Sequence, residues 1–214
     1  MIKSTNINLK SRAVLLYRMS EQQQQQPIII LFSGWSQAGK DTAADLLVNI
    51  YGFQKFAFAE EPKIATAQKY NFPLQWTMTQ PGKVQEIRTE NGELRTVRDL
   101  IIEYANAERA KNPQVWASSV ADKIKESCKG KQKKFVISDW RFIDELVGLQ
   151  KALQDISPAI YPIQIRRPSQ LVSPVADNTE YALLGFPFYM TIKNTGDKFF
   201  ITNIGREMHQ IIGR

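Results

Sequence analysis

Ten consecutive residues, Ser33-Gly34-Trp35-Ser36-Gln37-Ala38-Gly39-Lys40-Asp41-Thr42, place two glycines five positions apart with a lysine directly after the second. Residues in that pattern hold phosphate. Glycines let the backbone wrap closely around an oxyanion, successive N–H groups and a helix N-terminus point at it, and the lysine adds a mobile positive charge. Gly34, Ser36, Gln37, Ala38, Gly39, Lys40, Asp41 and Thr42 are therefore expected to cradle the phosphates of a nucleoside triphosphate. Such loops ordinarily follow the lysine with a Ser or Thr that ligates magnesium. Here Asp41 stands in that place with Thr42 behind it, so the metal is expected to be held by Asp41, by Thr42 or mainly through water.

A second constellation begins with Phe135-Val136-Ile137-Ser138-Asp139, an apolar run ending in a carboxylate. Strand carboxyl ends are where α/β sheets bind ligands, so Asp139 either holds magnesium through water, orients an attacking oxygen, or caps the helix that follows. Beyond it Arg141 and Glu145 stand four apart, which on a helix puts them on one face. A surface ion pair would explain that spacing. So would a guanidinium gripping a second phosphate bidentately while Glu145 holds the arginine or a sugar hydroxyl. Further on, Arg166 and Arg167 precede Pro168 and a polar segment, so 166–187 reads as a lid or adenine-side loop with one of the two arginines on the nucleotide base or phosphates, or as a basic pair on a surface loop.

The elements that must position these groups follow from periodicity. Pro27 opens a β-branched run, after which Ala43, Ala44, Leu46, Leu47 and Ile50 recur at helical spacing. From there strand and helix patterns alternate as a doubly wound α/β sheet requires. Strands are predicted over 27–33, 53–58, 134–139, 159–165 and 188–193, and helices over 39–51, part of 60–71, 97–109, 114–128, 141–153 and 197–212. The predicted fold is a P-loop NTPase with a five-stranded parallel sheet in the order 2-3-1-4-5. Residues 72–96 interrupt the alternation with Pro73, Pro81, Gly82 and the turn Asn91-Gly92, which predicts a protruding hairpin, and with the helices that follow it the acceptor-binding insertion is placed at 72–130. Residues 1–26 form a separate extension ending in the polar run Gln22 to Gln26, and 27–214 form the catalytic domain.

Composition excludes several classes. Among 214 residues the formal charge is +7, which favours anionic ligands without choosing between nucleotides and nucleic acid. A single cysteine, Cys128, rules out an internal disulfide framework and fits a reducing, cytoplasmic compartment. No apolar run reaches membrane-spanning length. His209, the one histidine, falls on an amphipathic pattern where a helix-surface position explains it.

Taken together, the chain resembles viral and phage deoxynucleoside monophosphate kinases and related bacterial P-loop proteins. The resemblance is carried by Ser33-Gly34 through Thr42, Thr96-Val97-Arg98-Asp99-Leu100-Ile101, Asn112-Pro113-Gln114-Val115-Trp116, Ile137-Ser138-Asp139-Trp140-Arg141-Phe142 with Glu145, and Ile165-Arg166-Arg167-Pro168. Gly-Lys-Asp-Thr and Asp-x-Arg-Phe with Glu145 are its specific elements. It departs from the family at Ala105-Asn106, where members often carry Gly-Thr. The resemblance implies transfer of the ATP γ-phosphoryl group, with magnesium, to a nucleoside or deoxynucleoside 5′-monophosphate, in the host cytoplasm if the source is viral. It implies that Lys63, Arg98 and Trp116 meet the acceptor with Asp139, Arg141 and Glu145, that Arg167 is the arginine facing the nucleotide, and that Lys40, Arg98, Asp139 and Arg141 carry the catalysis; a core position would equally explain Trp116, and a solvated one Lys63. The expected partner is a small-molecule substrate, with no membrane and no specific nucleic acid, and a homodimer is compatible. A P-loop kinase for phosphomevalonate or dephospho-coenzyme A is the rival reading, and a regulatory or nucleic-acid-linked NTPase is the remoter one.

Overall fold

In a computed structural model, residues 26–168, 182–196 and 198–213 are described. A continuous apolar strand, β1 (Ile28–Ser33), forms the centre, with Ile29 to Phe32 fully buried. Burial on both faces suits the middle of a parallel sheet, where helices cover each side. α1 (Lys40–Tyr51) follows, then β2 (Gln54–Phe56) and α2 (Glu60–Lys69). A 3-10 turn (Leu74–Thr77), the short α3 (Gln80–Lys83), the hairpin β3 (Glu86–Arg88) and β4 (Leu94–Thr96), and α4 (Val97–Lys111) form the insertion. α5 (Val115–Lys129), β5 (Lys134–Ile137), α6 (Ile143–Ala152), β6 (Ala159–Arg166), β7 (Met190–Lys193) and α7 (Lys198–Ile212) complete the chain.

The main sheet runs β2-β5-β1-β6-β7, all pairs parallel. With the hairpin strands left out of the count this is the predicted order 2-3-1-4-5. One apolar cluster packs α1 and α7 on one face, and a second packs α5 and α6 on the other. On α7 the inward stripe is Phe200, Ile204, Met208 and Ile211, a helical spacing that leaves His209 exposed. A smaller cluster of Ala67, Phe72, Val97 and Leu100 supports the insertion.

Parallel pairing has one consequence for function. The ends of β1, β2, β5, β6 and β7 all lie on the same edge, so the segments 34–39, 57–59, 138–142, 167 and 194–196 converge there. The hairpin forms as the Asn91-Gly92 signal predicts, with Gly92 at φ 88° closing the turn. Two expectations lie largely or wholly outside the described residues: the extension 1–26, of which only Gln26 is described, and most of the lid 166–187. Among the described residues no helix is long and apolar enough to cross a membrane.

Candidate functional site: a glycine loop beside a cationic cluster

The loop between β1 and α1 is held open by its glycines and by neighbours that leave them no room. Gly34 sits at φ 139°, and a Cβ there would lie 2.1 Å from the Ile165 carbonyl oxygen. Gly39 sits at φ 102°, and a Cβ there would lie 2.3 Å from Asn194 Nδ2. Both positions therefore require glycine for backbone angle and for space. Asn194 is the residue that follows β7. It is buried after β7, donates from Nδ2 to the Ala38 carbonyl at 2.8 Å and accepts from Gly196 N at 2.9 Å. It thereby ties the end of β7 to the loop. Arg167 lies over Gly196, whose added Cβ would sit 3.4 Å from the arginine Nη2.

Ser36 and Gln37 face solvent at the loop's rim while Ala38 is buried beneath it. Lys40 reaches back across the loop and donates to the Gly34 and Trp35 carbonyls at 2.7 and 2.8 Å. Asp41 turns to the side. Its Oδ1 lies 3.0 Å from Lys55 Nζ of β2 and accepts from the Ser138 hydroxyl at 3.0 Å. Burial alone would raise its carboxyl, but Lys55 and then Ser138 hold it below the usual carboxylate range. Lys55 also bridges to Asp45 at 2.9 Å, and Thr42 is exposed beside them.

Asp139 does not cap the helix that follows it. Its two oxygens accept from the Phe58 and Ala59 amides at 2.9 Å each, so it anchors the entry to α2, the helix that carries Lys63. Burial pushes its carboxyl up from the ordinary value, against the lowering pull of those two amides and of the Lys63 and Arg141 charges.

The next turn corrects the predicted pairing of Arg141 with Glu145. α6 begins at Ile143, two residues later than expected, because Glu145 at its third position accepts from the Arg141 and Phe142 amides at 3.1 Å each. That is the carboxylate half of a capping box, which stops the helix short of Arg141. Glu145 thus holds the backbone of Arg141, and its ion-pair partner is Arg109 of α4, at 3.3 Å. Burial, foremost, raises the Glu145 carboxyl to about 7. Trp140, fully buried against Phe186 and Phe188, donates its indole N–H to the Phe142 carbonyl at 2.7 Å. The turn is pinned on both sides of Arg141.

Arg98 stands in the first turn of α4, whose start is capped by the Thr96 hydroxyl accepting from Asp99 N at 3.2 Å. Its guanidinium donates to Gln80 of α3 at 2.6 Å. This contact brings in Lys83, at the end of α3, which sequence reasoning missed. The Lys83 ammonium is destabilised first by burial and then by repulsion from Lys63, Arg98 and Arg141, with Asp41 pulling the other way. Four cationic side chains from four separate segments thus share one electrostatic neighbourhood. Its only sequence signal is a lysine closing the Thr79–Lys83 turn, where Gly82 is forced by the Trp76 backbone 2.4 Å from its would-be Cβ.

Trp116 is not part of that surface. It is 7% exposed, packs against Tyr104 and donates its indole N–H to the Ala105 carbonyl at 3.3 Å. The structure places it in the core, joining α5 to α4 at the Ala105-Asn106 position. Cys128 is half-buried, and burial raises its thiol, which leaves it a poor nucleophile. Among the described residues no group of three or more His, Cys, Asp or Glu gathers as a metal cluster.

No family model matches the chain, and no curated protein is similar to it. Solved structures are similar in arrangement. The dephospho-CoA kinase from Campylobacter jejuni is 14% identical over 86% of this chain and 97% of its own, with a TM-score of 0.48. An unliganded sugar kinase from Janibacter sp. HTCC2649 is 14% identical over 86% of this chain and 94% of its own, with a TM-score of 0.46. The shikimate kinase from Acinetobacter baumannii, solved in complex with shikimate, is 13% identical over 91% and 97%, with a TM-score of 0.41. These are likenesses of fold, and the chemistry of this chain rests on its own residues.

Proposed function

We propose that the chain is a nucleotide kinase that transfers the γ-phosphoryl group of ATP to a nucleoside or deoxynucleoside 5′-monophosphate. One observation carries the reading: Lys63, Lys83, Arg98 and Arg141 share a neighbourhood beside a phosphate loop. Repulsion from the other three, added to burial, already disfavours the Lys83 ammonium, and a phosphomonoester is an anion of matching charge. The carboxylates support the same conclusion. Asp139 is committed to two backbone amides, Asp41 to Lys55 and Ser138, and Glu145 to two amides and Arg109. An alcohol acceptor needs a base to take its proton. A phosphate oxygen is already ionised and needs only placement and charge neutralisation.

In this reading Lys40 leaves the Gly34 and Trp35 carbonyls for the β- and γ-phosphates, and the loop amides cradle them. Arg98, Lys63 and Lys83 hold the acceptor phosphate, and Arg141 meets it from the donor side, where charge develops on the transferred group. Arg167 and the segment Asn194-Thr195-Gly196 border the donor base. Magnesium, bound with ATP, neutralises charge on the phosphates. Thr42, Asp41 and Asp139 are the residues that would hold it. Trp116 forms the wall behind the acceptor and does not contact it.

A coupled ADP-release screen tests the proposal. Its arms are the common nucleoside and deoxynucleoside monophosphates, phosphomevalonate, dephospho-coenzyme A and shikimate. ADP production dependent on one or more nucleoside monophosphates is expected. Turnover with an alcohol acceptor alone, or ATP hydrolysis stimulated by DNA without any acceptor, would overturn it.

A further inference from the structure

Arg109 lies on α4 roughly three helical turns beyond Arg98, and therefore on the same face of the helix. Its guanidinium is gripped on three sides. Nη2 lies 3.3 Å from Glu145 Oε1, Nη1 donates to Asn106 Oδ1 at 3.1 Å, and Cζ sits 4.0 Å from the centre of the Phe142 ring. The side chains of Arg109 and Glu145 are 19% and 4% exposed, so the pair is shielded from water. The other Glu145 oxygen accepts from the amides of Arg141 and Phe142. A continuous chain of charge-assisted contacts thus runs from α4 through Glu145 to the backbone that bears Arg141.

We propose that Arg109 is a positioning residue for Arg141: through Glu145 and the Phe142 ring it fixes the β5–α6 turn in the shape that aims the Arg141 guanidinium at the acceptor phosphate. The inference rests on the reading above, in which Arg141 meets that phosphate. Without Arg109, Glu145, whose carboxyl burial already raises to about 7, loses an opposite charge that favours its ionised form and is protonated over more of the neutral range. A neutral carboxyl is a weaker acceptor for two amides at once. The turn then loosens, while Trp140 still anchors its buried side. The same geometry makes α4 a single lever, touching the acceptor directly with Arg98 and indirectly with Arg109.

The test uses the full chain as wild type, Arg109→Ala, Arg109→Lys, Arg141→Ala and the Arg109→Ala/Arg141→Ala double variant. Three quantities are measured: hydrogen exchange of the Arg141 and Phe142 amides, equilibrium binding of the four common deoxynucleoside monophosphates, and binding of ATP. Arg109→Ala is expected to speed exchange at both amides and to weaken monophosphate binding about tenfold, as loss of one charged hydrogen bond does. ATP affinity and exchange within β1 should stay as in wild type. In the Arg141→Ala background the Arg109 change should cost nothing more, since it acts only through that side chain. Arg109→Lys, which keeps the charge without the planar fork, should restore part of the binding and serves in place of the alanine variant if that one fails to fold. Losses that multiply in the double variant, ATP binding that falls in step, or unaltered amide exchange would overturn the proposal. If wild type bound no monophosphate, the nucleotide reading would fall by itself, and the two amides would still decide whether Arg109 holds the turn.

Discussion

The proposed donor and acceptor halves of the site are built in opposite ways. The phosphate loop is one run of consecutive residues whose shape comes from its own backbone angles, with Ile165 and Asn194 closing off any alternative at Gly34 and Gly39. The acceptor pocket has no such run. Lys63, Lys83, Arg98 and Arg141 come from α2, α3, α4 and the β5–α6 turn, and each is placed by a different device: the Asp139 anchor, the Gly82 close approach, the Thr96 cap and the Glu145 cap. A backbone cradle binds by geometry that few substitutions can preserve, whereas a pocket of converging charges shares its task among several side chains. Substitutions on the donor side should therefore be close to all-or-none, and those on the acceptor side graded.

The largest expected effect is at Lys40, the one mobile charge of the cradle. Lys40→Ala should lower kcat on the order of 10³-fold or more, since no second cation on the loop can replace its contact with the transferred phosphate. Steady-state rates with a saturating acceptor check this, and a variant within tenfold of wild type would erase the contrast between the halves. Arg141→Ala should lower kcat by about 10²- to 10³-fold, the scale of losing one preorganised charge donor at a transition state. A rise in acceptor KM with kcat intact would make Arg141 an acceptor-binding residue like the other three.

What the sequence made legible follows the same division. β1, the glycines and Lys40 signal their roles within one short window, because strand, turn and helix start are local matters of periodicity and backbone freedom. The sheet order was legible too, since alternating strand and helix patterns leave few right-handed arrangements. Arg98 stood out only through a resemblance, Arg141 also through its spacing from Glu145, and Lys83 and Arg109 did not stand out at all. Their roles depend on contacts to residues far along the chain, Arg109 to Glu145 for one, and no periodicity encodes such a contact. The i,i+4 spacing of Arg141 and Glu145 misled for a related reason. It presumes a helix already formed, yet the carboxylate of Glu145 ends that helix before Arg141 is reached.

The acceptor half should also carry a distinctive pH dependence. The Glu145 carboxyl is raised from an ordinary 4.5 to about 7, by burial first and also by the Asp139 charge, against the pull of the Arg141 and Phe142 amides and Arg109. Between those values the folded chain keeps a proton that the unfolded chain has released. This contribution to stability is therefore complete below pH 4.5, declines as pH rises and is gone above about 7. Its full span is on the order of 3 kcal/mol at most. Urea unfolding between these limits should show stability falling with pH in wild type and a shallower slope in Glu145→Gln. An identical slope in the variant would place the titration elsewhere, with Asp139, whose carboxyl is raised in the same direction.

The smallest effect, and the sharpest test of graded sharing, is at Lys83. Its ammonium is disfavoured by burial and by Lys63, Arg98 and Arg141, so an arriving phosphate dianion supplies the counter-charge that those neighbours withhold. Lys83→Gln should raise acceptor KM by about tenfold, the loss of one charged hydrogen bond among several, and leave kcat and the KM for ATP near wild type. The sign of the pH effect follows from linkage. Acceptor binding favours the protonated amine, so affinity should fall as pH rises through the lowered pKa of Lys83 in the free protein, and Lys83→Arg, always charged, should remove that fall. Acceptor KM measured across alkaline pH for wild type, Lys83→Gln and Lys83→Arg decides the matter. If all three profiles coincide, Lys83 lies outside the acceptor's reach, and the pocket consists of the three cations Lys63, Arg98 and Arg141 with a buried lysine behind them.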